Sequence, residues 1–206
     1  MNEIQTFKLF KKNIPKIEYN NPLLLPTIDE DSKKFQVNLC NTLTRLGLKF
    51  TEKYIYEKKS LKPYNDSLID YDVESLSEKN IEVYNKFNKI TKNGLYGNFE
   101  IIFKKNTYNI RPLKPIKKNT IICECLGDVC LKSSGKKIIL LKSPIDEVNL
   151  FLTFKEHGNL GIILLLCEKY EDDNIEILRI SINGSNHILF IAKKDIENEF
   201  LSLKFN

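Results

Sequence analysis

No stretch of the 206-residue sequence approaches the roughly 18 consecutive apolar residues that cross a bilayer as a helix. Met1 to Ile17 interleave apolar residues with lysines, where a secretory leader would carry an unbroken apolar core. Together these absences predict a soluble, intracellular chain with no membrane partner. Histidine is scarce: His157 and His187 stand thirty residues apart, and no Ser or Cys comes with a nucleophile elbow and a partner Asp, which excludes triad hydrolysis. The five cysteines, Cys40, Cys123, Cys125, Cys130 and Cys167, are odd in number and lie in apolar segments. Reduced thiols in the cytosol or nucleus are expected, not disulfides. A Cys123-x-Cys125 pair on a strand points both thiols to one face and lacks the Cys-x-x-Cys turn that wraps a metal, so Cys123, Cys125 and Cys130 read as buried thiols and no metal is implied. Charge of one sign is also missing. The net +5 arises from 32 basic and 27 acidic side chains that are interspersed, which gives no specific nucleic-acid site while leaving chromatin contact open.

What is present suffices for folding. A 42% hydrophobic content can bury one good core or two small ones without a staple. The richness in Lys, Asn and Ile with little Ala is compositional background. Residues 1–31 carry Pro15, Pro22 and Pro26 among lysines and asparagines and read as an extended lead-in. Phe35, Leu39, Leu43 and Leu46 recur at steps of four, four and three, which predicts a helix from Ser32 to Leu48 ending near Gly47. Residues 51–72 show no period and read as an irregular connector. Ser77 caps a second helix over 78–92, with Leu76 and Ile81 as a hydrophobic staple and an apolar face of Ile81, Tyr84, Phe87 and Ile90. Beyond Gly97 the texture is β: Phe99, Ile101 and Phe103 alternate, and β-branched runs recur at 107–113, 119–126, 137–142 and 149–154. Residues 175–182 and 187–192 flank Asn183-Gly184-Ser185-Asn186, and Asn-Gly supplies the positive φ angles of a tight hairpin. The chain is thus α+β, mainly β with N-terminal helices.

Ile116 to Val129, reading Ile-Lys-Lys-Asn-Thr-Ile-Ile-Cys-Glu-Cys-Leu-Gly-Asp-Val, Gly158-Asn159 and Ile182 to Glu199 resemble, in that order, three segments of one family, the SET-domain proteins: the early strand pair, the Gly-Asn that opens the cofactor and pseudoknot segment, and the closing hairpin. Within that family, Leu25-Pro26-Thr27 with the helix to Leu46-Gly47-Leu48-Lys49-Phe50, and Leu76-Ser77-Glu78 with its helix, resemble the trithorax-related histone-lysine monomethyltransferases of plants and ciliates. Five pieces in the same order carry the likeness. It implies a helical pre-SET region over 32–97 and a SET-like domain over 98–206, with short twisted sheets and a C-terminal pseudoknot. A nuclear location also follows from it.

Enzymes of this family hold S-adenosylmethionine and a lysine amine in line, so that methyl transfer needs little further ordering. The resemblance places the cofactor's glycine-rich turn at Thr107, Tyr108 and Asn109, and its amide-bearing segment at Asn159 and on Leu164 and Leu165, within the run Ile162-Ile163-Leu164-Leu165-Leu166-Cys167. Read by itself, that run is a core strand packed on both faces. Phe205 stands at the catalytic-tyrosine position, and Cys125 replaces the lysine-channel tyrosine; a rival alignment makes Tyr170 or Tyr108 the hydroxyl donor. Loss of one preorganised donor costs about 100- to 1000-fold in rate. No intact catalytic residue is therefore expected, and the cysteine-rich zinc segment of many relatives has no room after Asn206.

The reading that follows is a degenerate SET domain acting as a binding or scaffold module in chromatin. A histone tail or another chromatin protein would be its partner, and no cofactor is expected. The alternative is an active methyltransferase with a rearranged site, which would use S-adenosylmethionine. A structural partner pairing through the edge of the closing hairpin is a third reading. Gln5 to Phe10 faintly resembles a sliding-clamp-binding box, with Lys8 where an aliphatic plug belongs, and reads as an amphipathic tail; the acidic run Glu168 to Asp173 reads as a solvated loop able to attract a basic peptide.

Overall fold

Phe35, Leu39 and Leu43 are all buried, and the four-residue spacing that predicted a helix forms α1, Glu30–Arg45. Its end is chemically explicit. Leu48 N–H bonds the Leu43 carbonyl and Gly47 N–H the Thr44 carbonyl, with Gly47 at φ +75°, a paired closure that needs a residue free of Cβ strain. The helix thus stops three residues before the predicted Leu48, because Leu46 to Leu48 form the cap. The computed structural model describes residues 30–58, 78–92, 99–131, 139–142, 150–167, 172–182 and 185–203. The lead-in with Gln5 to Phe10, Ser77, the Asn183-Gly184 turn, Tyr170 and Phe205 lie outside them.

The second predicted helix is α2, Glu78–Lys92. Tyr84 and Phe87 are buried and Ile81 and Val83 packed beside them, over a small apolar cluster of Ile121, Leu178, Ile180, Leu189 and Ile191. The larger core lies on the other side, where Phe35 of α1 meets Phe99 with ring centroids 5.7 Å apart.

Strands account for most of the described remainder: β1 Lys49–Phe50, β2 Ile55–Tyr56, β3 Phe99–Lys104, β4 Thr107–Pro112, β5 Ile121–Glu124, β6 Gly127–Cys130, β7 Ile139–Lys142, β8 Leu150–Gly158, β9 Ile175–Ile182 and β10 Ser185–Ala192. One sheet runs β1-β8-β6-β2 with β7 also on β8, a second runs β5-β10-β9, and β3-β4 is a separate hairpin. The residue 51–72 connector is therefore not wholly irregular, since Ile55 and Tyr56 pair in parallel with Asp128 and Val129. The strand expected over 119–126 is β5, which ends at Glu124, and with β6 it forms the strand pair expected over Ile116 to Val129. β5 belongs to the second sheet and β6 to the first, and the chain changes sheets at Cys125 and Leu126.

The run 162–167 corrects the expectation most sharply. It is not a strand but the end of helix α3, Leu160–Leu166, whose residues Leu160 to Leu165 are all buried. Six consecutive apolar residues have no period, so their sequence cannot separate a buried helix from a buried strand. Asn159 decides it by capping the first turn.

The C-terminal segment forms the knot-like closure. Leu201 N–H bonds the Ile110 carbonyl on β4, while Ser202 and Leu203 pair with Asn174 and Ile175 at the start of β9. Asn174 rivets the crossing, its amide donating to the Phe200 carbonyl at 2.8 Å and accepting from Ser202 N–H at 2.8 Å. The architecture is the expected one, short twisted sheets with N-terminal helices and a threaded C-terminus.

Candidate functional site

Thr107, Tyr108 and Asn109 open β4, directly after the turn of the β3-β4 hairpin. Thr107 donates its hydroxyl to the Lys104 carbonyl at 2.9 Å, Tyr108 is half-buried, and Asn109 is buried. Tyr108 forms a parallel bridge with Cys167, so the end of α3 lies against β4, and the C-terminal segment reaches β4 at Ile110. The fold thus brings together the two segments that the resemblance assigns to the cofactor, the start of β4 and α3, with the closing crossing beside them.

The chemistry they present is largely closed. Asn159 is 1% exposed, and its carboxamide makes three internal bonds: it accepts from Leu126 N–H at 3.1 Å and Gly161 N–H at 3.0 Å and donates to the Glu124 carbonyl at 2.7 Å. Leu164 and Leu165 are buried in the main core. Cys125 is fully buried, and a Cβ placed on Gly161 would stand 2.7 Å from its Sγ, so strand end and helix are in direct contact there. Burial foremost, then the neighbouring Cys123 and Glu124, pushes the Cys125 thiol well above its ordinary pKa, and burial does the same for Cys123.

Thiol reactivity follows from that burial. Cys167 is pushed up to about 12 by burial, against a lowering bond from the Ile110 backbone, whereas Cys40 is exposed. Native protein is expected to release about one equivalent of chromophore from a thiol-reactive disulfide reagent, from Cys40, with Cys167 reacting slowly. Cys123, Cys125 and Cys130 should follow only on unfolding. Three fast native equivalents would contradict the buried placement.

Two polar assemblies went unnoticed in the sequence. Glu124, buried on β5, accepts the Tyr84 hydroxyl at 3.1 Å and lies 2.7 Å from His187 Nδ1; Tyr84 is itself 3.0 Å from that nitrogen, and Tyr54 accepts the neighbouring Ile188 N–H at 3.2 Å. Burial first, and then the Glu124 carboxylate, raises both tyrosines, so their hydroxyls stay protonated. The cluster clasps α2 to the second sheet. Its one sequence signal is an acid inside the otherwise apolar run Ile121 to Leu126.

The second assembly surrounds Asp128. Between Gly127, opposite Gly158, and Asp128, opposite Thr153, β8 bulges outward. The freed N–H groups of Lys155, Glu156 and His157 reach one Asp128 oxygen at 3.0, 2.8 and 3.0 Å, while His157 Nδ1 meets the other at 2.7 Å. Burial alone would raise this carboxyl, but the backbone donors and His157 outweigh it and the net shift is downward. A depressed folded-state pKa means that the contribution is present above the unfolded value of about 3.9 and is lost as pH falls through the folded one. Asp128→Asn is expected to cost about 2 kcal/mol at pH 7. In urea titrations from pH 7 to pH 3 that deficit should shrink toward the acid end; a pH-independent deficit would contradict this account.

Among the described residues no helix is long and apolar enough to cross a membrane, and no group of three or more His, Cys, Asp or Glu side chains forms a metal-type cluster.

No family model matches the chain. The Arabidopsis thaliana histone-lysine N-methyltransferase ATXR5 is 23% identical over 188 residues, covering 84% of this chain and 50% of that protein, so the chain spans about half the length of the curated relative it matches. The solved structure of ATXR5 in complex with mono-methylated histone H3.1 superposes with a TM-score of 0.75 at 19% identity, covering 88% of this chain and 92% of that one. The ATXR5 SET domain with di-methylated histone H3 gives 0.76 at the same identity and coverage. KRYPTONITE in complex with DNA, a histone H3 peptide and SAH gives 0.50 at 12% identity, over 76% of this chain and 41% of that one.

Proposed function

We propose, starting from the fact that this chain carries the SET fold and resembles the trithorax-related histone-lysine methyltransferases, that it is a non-catalytic binding or scaffold module of chromatin, working in the nucleus. The observation that carries this reading is the filled state of Asn159, Leu164 and Leu165, three of the positions matched to the cofactor. S-adenosylmethionine brings a sulfonium, an amino-acid end and an adenine, and each polar group left without a partner costs about 1–3 kcal/mol. At the matched positions Leu164 and Leu165 offer none, and the Asn159 amide is committed to the protein's own backbone. These residues do not fit the group, and Cys125 has no hydroxyl to orient an amine.

A histone tail is the proposed partner, because both solved ATXR5 complexes hold histone H3 and because the sequence run Glu168 to Asp173 ahead of β9 is acidic. Of its acids, Asp173 is paired with Lys193 at 2.6 Å, whereas the Asp172 side chain is 94% exposed and 3.9 Å from Lys194, which leaves it accessible to a basic peptide.

Calorimetric titration of the purified chain with S-adenosylmethionine is expected to give no binding heat up to about 1 mM, a free energy weaker than about −4 kcal/mol. Micromolar binding would refute the filled-pocket reading. Methyl transfer to histone peptides or nucleosomes by the purified protein would establish the alternative, an active enzyme with a rearranged site.

A further inference from the structure

A local basic excess lies on one hairpin and its exit. Residues 99–118 hold six basic side chains against the single acid Glu100. It forms β3, the turn Lys105-Asn106, β4 and the connection toward β5. Arg111 is paired with Glu100 and Lys117 with Asp195. Lys104, Lys105 and Lys114 are exposed and have no ion-pair partner among the described residues.

Exposed apolar surface lies at the tip, where Phe103 is 53% exposed; Leu113, 51% exposed, follows Pro112 at the opposite end of the hairpin. The reason is the strand period. Phe99, Ile101 and Phe103 share a face with their cross-strand partners Pro112, Ile110 and Tyr108, and this face is buried at Phe99 and Ile110 but runs past the core at its far end. There Phe103 and Tyr108 lie tilted against each other, ring centroids 4.8 Å apart. Lys105 and Asn106 both hold positive φ, 51° and 61°, the geometry of a tight two-residue hairpin turn, which sets Lys105 at the tip next to the rings, with Lys104 on the opposite face of β3.

The geometry points to the β3-β4 hairpin tip as a binding surface for single-stranded nucleic acid, with an unpaired base packed on Phe103 and Tyr108 and flanking phosphates against Lys104 and Lys105. Aromatic faces accept any base, and lysines follow the backbone. A histone tail is repelled by this charge, and a duplex keeps its bases stacked out of reach. This surface shares Tyr108 with the positions matched to the cofactor and rests on the proposed function in that S-adenosylmethionine does not compete for it.

Fluorescence anisotropy on the full chain tests it, with labelled 12-nucleotide uridine and thymidine strands, a 12-base-pair duplex and a Glu/Asp-rich peptide. Micromolar binding of a single strand is expected, at least tenfold tighter than duplex or peptide. The slope of log K against log salt should be about −1.4 for two lysines. The two strands separate RNA from DNA as the source, and binding of either supports the surface. Phe103→Ala should weaken binding roughly tenfold with the slope unchanged, Lys104→Gln with Lys105→Gln should bring the slope to about zero, and Val37→Ser, an exposed site on α1, should change nothing. No binding at 100 μM protein, wild-type affinity in Phe103→Ala, or equal or tighter binding of duplex or acidic peptide would each overturn it. Displacement of the strand by S-adenosylmethionine would overturn it as well and would at the same time identify failure of the filled-pocket reading.

Discussion

Asn159→Ala is expected to remove about 4 kcal/mol of folding stability, enough to leave a domain of ordinary stability partly unfolded at 37 °C. The substitution strips the partners from Leu126 N–H, Gly161 N–H and the Glu124 carbonyl in a site that is 1% exposed, so water cannot replace them. It also uncaps α3, which on its own costs about 1 kcal/mol. Asn159→Asp separates the roles further. A carboxylate still accepts from both N–H groups but turns an oxygen toward the Glu124 carbonyl, so the buried charge is opposed and its pKa driven upward. Stability of that variant is expected to rise as pH falls from 7 toward 5, because the protonated acid recovers a donor for that carbonyl. Chemical denaturation at several pH values measures both variants. A stably folded Asn159→Ala protein would mean that the amide is not a structural rivet and would return it to the ligand-binding role its sequence position implies.

This residue shows how much the sequence disclosed. Gly158-Asn159 was legible as a motif, and the motif does mark a junction, but its three partners come from backbone groups 33 to 35 residues away and two residues ahead, which no local pattern encodes. Elements with a period are legible. The steps of four along Phe35, Leu39 and Leu43 give α1, the alternation of Phe99, Ile101 and Phe103 gives β3, and the closing hairpin appears as β9 and β10 paired from Ser185 with Ile182 to Ala192 with Ile175. Elements without a period are not. α3 reads as a strand because unbroken apolarity fits both, and β2 escapes because two residues pairing in parallel with Asp128 and Val129 leave no trace in composition. The Asp128 cradle and the Tyr84-Glu124-His187 clasp stay hidden for a related reason. Both join segments far apart in the chain, and the first is built of backbone N–H groups whose direction depends on a bulge in β8.

Gly161→Ala is the second large effect, and its sign runs against propensity. Alanine inside a helix is normally favoured over glycine by about 1 kcal/mol. Here an added Cβ would lie 2.7 Å from Cys125 Sγ, 2.9 Å from Cys125 Cα and 3.0 Å from its Cβ, and overpacking of a rigid core costs about 1–3 kcal/mol or more. A net loss of about 2 kcal/mol is expected by thermal or urea denaturation. Because one of the three close atoms is backbone, Cys125→Ala in the same chain should recover only part of the loss, with a coupling energy of about 1 kcal/mol in a double-mutant cycle. Full recovery would show that the sulfur alone sets the approach; no recovery would show that the main chain of Cys125 limits it. Either way the same packing bears on Cys125→Tyr, which would place a ring where a fully buried sulfur already touches the helix. That variant is expected to fold less stably than the parent and to bind S-adenosylmethionine no better, since helix and strand leave the ring no room until α3 itself is moved.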